Sequence, residues 1–216
     1  MVGTPEGIVA EETIAHFLDE LASGAPVPGG GAAAALEAAL GAALVSMVCN
    51  LTIGREKYRA YEQTMMEARA AAEELRAQAL ALVAEDSASY SAVGAAYALP
   101  RGSDEEKAAR QARIQEALKG ATDVPLRTVA LAACVIELCA HIVDGANTNA
   151  ISDVGVGALS ARAALDGSAL NVRINLALIK DEEFKATTAA RMEGYLNVAH
   201  PLVDEVTRKV EASIAR

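Results

Sequence analysis

Residues 26–50 read PVPGGGAAAALEAALGAALVSMVCN, three consecutive glycines in front of a long run of alanine, leucine and valine. Three devices begin this way: a phosphate-cradling loop, a membrane span, or a helix built to pack very close to its neighbours. The glycines are not followed by G-K-[ST], no strand pattern precedes them, and the spacing G-x-G-x-x-G is absent, so both nucleotide loops are excluded. Gly31 to Cys49 is nearly long enough to span a bilayer. Glu37 nevertheless sits well inside it, alanine supplies little transfer energy, and no Lys/Arg cluster anchors either end. An interior helix from about Gly31 to Ile53 is the remaining reading. Its small residues Ala35, Ala38, Ala42 and Ser46 recur every three or four positions, a face that lets another backbone approach.

The whole chain shares this character. Its 216 residues are 52% apolar but only 3% aromatic, with no Trp, and alanine carries much of the apolar share. Alanine favours helix, and runs of β-branched or aromatic residues with period two are scarce. The expected fold is all-α: one multihelical up-and-down bundle with long helices, a single domain over residues 1–216.

The elements follow from punctuation. TIAHFLDELAS places Ile14, Phe17, Leu18 and Leu21 on one face of a first helix, which GAPVPGGG ends because Pro26 and Pro28 bar its continuation. After Gly54 the pattern predicts one very long helix up to Pro100. Ser103 with Glu106 forms a capping box that opens another, and Pro125 is expected to kink or break it. DGANTNAISD reads as a polar turn in which Ser152 or Asp153 caps a helix from Leu159 to about Lys180. A last helix spans Glu182 to near Arg216, with Gly194 or Pro201 as places to bend.

Charge and cysteine usage narrow the function. A net charge of −10 leaves no broad basic face for nucleic acid, and any anionic ligand must be met by a few local cations. Cys49, Cys134 and Cys139 are an odd set inside apolar helical pattern, which fits buried free thiols better than disulfides. MVGTPEGIVAEETIAHF lacks the basic and apolar regions of a signal peptide, so a cytoplasmic location is expected. His16, His141 and His200 are scattered and Cys134/Cys139 lack zinc spacing, so no metal is expected.

Two polar clusters stand out. Asp86 follows the apolar ALALVA, and Tyr90 shares its helix face at i,i+4. A carboxylate at the edge of an apolar helix can have its pKa raised and serve as a base, although an ordinary solvated aspartate has the same local pattern. Asn147, Asn149, Ser152 and Asp153 form the second cluster, and loop caps look the same. The glycines Gly29, Gly30 and Gly31 let a ligand come close to a helix N-terminus, or they are a plain tight turn.

Taken together, residues 17–58 (FLDELASGAPVPGGGAAAALEAALGAALVSMVCNLTIGREKY), AEDSASY, LPRGSDEEKAARQARIQEALKGATDVPL, NTNAISDVGVGAL and ALNVRINLALIKDEEF resemble the formiminotransferase-cyclodeaminase and methenyltetrahydrofolate cyclohydrolase family, of the stand-alone bacterial type. The ordered blocks span roughly residues 13–184, which makes the resemblance more specific than any single motif. It implies a multihelical homodimer that takes a tetrahydrofolate derivative as substrate, with no separate cofactor. It also implies hydrolysis of 5,10-methenyltetrahydrofolate, with ammonia-releasing cyclodeamination of formiminotetrahydrofolate as the alternative. Through it Asp86 becomes the catalytic aspartate. Pro28, Gly29, Gly30, Gly31, Asn50, Arg55, Lys57, Tyr90, Asn149, Ser152 and Asp153 become candidate substrate contacts. Arg55 and Lys57 are the cations for a folate glutamate, or equally solvated charges at a helix end. A non-catalytic folate-binding scaffold, the rival class, needs neither Asp86 nor the polar turn.

Overall fold

The computed structural model describes residues 13–215. The segment read as lacking a signal peptide falls mostly outside them. Among the described residues the chain forms six α-helices: α1 (Ile14–Leu21), α2 (Gly30–Thr52), α3 (Glu62–Tyr97), α4 (Asp104–Ile142), α5 (Ile151–Leu176) and α6 (Glu182–Ile214). Neighbours α2–α3–α4–α5 close into an up-and-down four-helix ring, α2 also reaches α4 across its middle, and α6 lies against α4 and α5.

Local chemistry explains most boundaries. Thr13 caps α1 by accepting from the His16 N–H, and Asp181 caps α6 through Phe184. Ser103 and Glu106 make the reciprocal capping box that opens α4. Gly29, the residue before α2, has no side chain to offer, so the first N–H groups of that helix are free for another partner. Beyond α2, Gly54 adopts φ +75°, a left-handed turn that suits glycine.

Several expectations are corrected. The long helix begins only at Glu62, because residues Glu56–Tyr61 form a 3₁₀ turn. α5 starts at Ile151 rather than Leu159, and Ala150, not Ser152 or Asp153, occupies its cap position. In α1 only Phe17 is buried, while Ile14 and Leu18 face outward, because a two-turn helix touches the bundle at one point. Pro125 does not break α4, which runs from Asp104 to Ile142. The carbonyl it leaves unpaired is Ala121's, and the Asn175 side chain on α5 donates to it at 2.9 Å. α6 likewise continues through Pro201.

The core is filled mainly by alanine and valine, with Met65, Leu82, Ile136, Ile142, Leu165 and Met192 as its largest fully buried side chains, each contributing about 1.5–3 kcal/mol. Small residues set the helix spacing. Ala35, Ala38, Ala42 and Ser46 are buried as expected. A Cβ added at Gly41 would lie 2.9 Å from the Gly157 carbonyl, so α2 and α5 meet backbone to backbone there. Both α2 and α4 are long and apolar enough to cross a membrane, and 61% of each such window is buried inside the bundle. Cys49 and Cys139 are buried free thiols pushed up to about 11 and about 12 by desolvation, whereas Cys134, expected inside, is exposed.

Candidate active site

Helix polarity sorts the candidate residues into two groups. In an up-and-down ring, the start of α2 shares one end with the late part of α3, the early part of α4 and the end of α5. The end of α2 shares the other with the 3₁₀ turn, the end of α4 and the start of α5. At a rise of 1.5 Å per residue, the two ends of α2 are roughly 33 Å apart.

A cavity of about 450 Å³ opens at the first end, and Gly29, Gly30, Gly31, Asp86 and Tyr90 all line it. Pro28 belongs to the same turn, but Pro26 and Val27 provide the walls there. Gly31 is decisive. An added Cβ would fall 2.6 Å from the Asp86 Cγ and 2.8 Å from its Oδ2, so the carboxylate of α3 occupies the space a side chain would need. The Ala32 N–H, one of the free donors at the start of α2, lies near that carboxylate and favours its charged form. Burial pushes the Asp86 carboxyl above its usual range, and the Ala32 N–H partly offsets this. Among the described residues lining the cavity, Asp86 is the only charged one. Its neighbour Glu85 points elsewhere and pairs with Arg127 at 2.5 Å.

At the other end lie Asn50, Arg55, Lys57, Asn149, Ser152 and Asp153, so within one chain they cannot share a ligand with Asp86. The polar turn there has a structural task. Asn147 donates to the Leu51 carbonyl at 2.9 Å through Nδ2, and its own N–H reaches the Thr52 hydroxyl at 3.0 Å. The Thr148 N–H donates to the Tyr58 hydroxyl at 3.0 Å. These bonds clasp the end of α2 to the start of α5. Asn50 accepts from Arg69 at 3.1 Å, and Lys57 sits over the Tyr58 ring at 5.1 Å.

Two asparagines that were not singled out complete the cavity wall, Asn171 and Asn175. Their signal was present: two amides four residues apart near the end of α5, in a chain with a proline inside the facing helix. Among the described residues no group of His, Cys, Asp and Glu gathers as a metal site.

Comparisons with known proteins bear on the family and the fold. The family described as formiminotransferase-cyclodeaminase matches residues 13–194. The chain belongs to that family. A methenyltetrahydrofolate cyclohydrolase of Methylorubrum extorquens is 46% identical over 96% of this chain and all of its own length. The formimidoyltransferase-cyclodeaminase of Rattus norvegicus is 31% identical over 96% of this chain, which spans only 38% of that larger protein. The crystal structure of formiminotetrahydrofolate cyclodeaminase from Thermotoga maritima superposes with a TM-score of 0.86 at 27% identity, covering 95% of this chain and 99% of the other. The two proteins thus share the helical frame.

Proposed function

We propose that the protein is a methenyltetrahydrofolate cyclohydrolase, opening 5,10-methenyltetrahydrofolate with water to 10-formyltetrahydrofolate in one-carbon metabolism. One observation carries this reading: among the described residues, the cavity's only charged lining group is one half-buried carboxylate. The substrate is its electrostatic complement, with one positive charge shared by the two nitrogens that flank the reacting carbon. Because little water screens Asp86, the attraction is stronger than it would be at the surface.

The chemistry then follows from the carboxylate. A water adds to the methenyl carbon while Asp86 accepts one of its protons, giving a neutral carbinol. Asp86 returns that proton to the ring nitrogen as its bond to carbon breaks. The carbinol hydroxyl becomes the formyl oxygen and its proton leaves to solvent. The raised pKa suits a group that must both take and return a proton. Loss of methenyl absorbance on mixing enzyme and substrate tests the reading, and an unchanged rate over the uncatalysed control refutes it. The names of the Thermotoga and rat proteins favour a second reading, cyclodeamination of formiminotetrahydrofolate, whose reacting carbon is also an amidinium. Ammonia release from that substrate separates the two.

We further infer a homodimer. α2 and α5 lie side by side and expose Leu40, Met47, Val156, Leu159, Leu170 and Ile174, large apolar side chains of the kind that mark a partner surface. Antiparallel pairing of that face in two copies would bring Arg55 and Lys57 of one copy over the Gly29–Gly31 end of the other. Among the described residues, none lining that cavity is a cation for a folate glutamate. The three free cysteines support a reducing, cytoplasmic setting.

A further inference from the structure

A proline inside a helix leaves the carbonyl four residues back without its donor. In α4 that carbonyl is Ala121's, and Asn175 of α5 donates to it through Nδ2 at 2.9 Å. Ala121, Pro125 and Asn175 all line the cavity that holds Asp86. The bond decides which way the amide is turned. A free asparagine offers donor and acceptor alike. With Nδ2 engaged on a backbone carbonyl, Oδ1 becomes an acceptor at a defined place. One turn earlier, Asn171 is held in the same fashion, its Nδ2 donating to the Gly167 carbonyl at 2.9 Å. α5 therefore supplies the cavity with two oriented, uncharged oxygens, in addition to the charged pair of oxygens on Asp86.

This division of labour matches a ligand with two distinct ends. A tetrahydropterin carries adjacent N–H donors on its pyrimidine edge, well away from its cationic carbon. Neutral acceptors suit those donors, because a second carboxylate would compete with Asp86 for the positive charge and raise its pKa further. We propose that Pro125 and Asn175 form a specificity pair: the proline frees the Ala121 carbonyl, the carbonyl orients the amide, and Oδ1 of Asn175, with that of Asn171, accepts from the N–H edge of the pterin ring. The proposal rests on the folate reading above. Asn175 is then a binding residue and Pro125 a positioning one that acts through it.

The test combines turnover of 5,10-methenyltetrahydrofolate with calorimetric binding of 5-formyltetrahydrofolate, which keeps the pterin edge without the cationic carbon. Asn175→Leu weakens 5-formyltetrahydrofolate binding and raises KM, each roughly tenfold, while kcat changes by less than about threefold. Pro125→Ala gives the Ala121 carbonyl a helical N–H and releases the amide. It raises KM roughly threefold in a protein that melts no lower than the parent, a combination that simple loss of structure does not produce. Parental KM in Pro125→Ala, or parental 5-formyltetrahydrofolate binding in Asn175→Leu, overturns the proposal. A parent enzyme that neither binds 5-formyltetrahydrofolate nor consumes the methenyl substrate overturns the functional reading itself, and the proposal with it.

Discussion

The Asp86 carboxylate fills the volume that a side chain at Gly31 would occupy, so the start of α2 and the late part of α3 fit together only with glycine at that position. Gly31→Ala is the most direct probe of this fit. Alanine is the better helix former, yet its methyl group displaces the carboxylate and breaks the Ala32 contact. Turnover should fall at least about a hundredfold with the circular dichroism spectrum unchanged. Parental turnover in this variant removes the contact from the mechanism.

Asp86→Asn separates catalysis from stability. It keeps the size and the acceptor for Ala32 but removes the base, so turnover should drop by at least about two orders of magnitude. A carboxyl whose folded pKa is raised stabilises the fold fully only below its unfolded value, and that contribution is lost as pH rises through the folded one. At neutral pH the charged Asp86 therefore costs stability. The Asn variant should melt higher than the parent, as thermal unfolding at pH 7 will register.

The same raised pKa governs the acid limb of the rate profile. As pH falls through it, Asp86 gains a proton and can no longer act as a base. A plot of kcat/KM against pH should decline at a midpoint above that of an ordinary aspartate. A midpoint near 4 or below would mean that the desolvated carboxyl does not control the reaction.

Arg55 and Lys57 test the dimer. Reversing both to Glu should raise KM several-fold, most for polyglutamylated substrate, with kcat little changed. If these cations act across the interface, mixing this variant with Asp86→Asn restores activity, because one hybrid site receives both intact partners. Mixed protein no more active than its components would place the cations outside the site.

Gly41 offers a purely structural check. Its backbone touches Gly157, so Gly41→Val should force α2 and α5 apart and cost about 3 kcal/mol or more in urea unfolding. A variant as stable as the parent would show that the two helices can separate without loss.

Most of the fold was legible because helical punctuation is local. The Ser103–Glu106 capping box, the proline-glycine stop before α2 and the small-residue face of Ala35, Ala38 and Ala42 each act within one or two turns. Asp86, Tyr90 and the three glycines were also recoverable, and the bundle brings them together. What local pattern could not carry was helix polarity over long distance. Asn50 and Asn149 carry the same polar signature as Asp86 and Tyr90, yet α2 separates them by its full length. Pro125 failed as a breaker for a similar reason, since the Asn175 side chain that satisfies its orphaned carbonyl lies on another helix, 54 positions from Ala121.

The cysteines carry one more consequence. Cys134 stands at the surface, while Cys49 and Cys139 lie inside with thiols held near 11 and 12. At neutral pH a thiol reagent therefore meets one accessible group first, its thiol itself raised by desolvation and by Glu137, and the other two only when the helices part. The molecule bears its own clock for opening: the slow labelling phase reads how often the helices part, without denaturant and without an engineered cysteine.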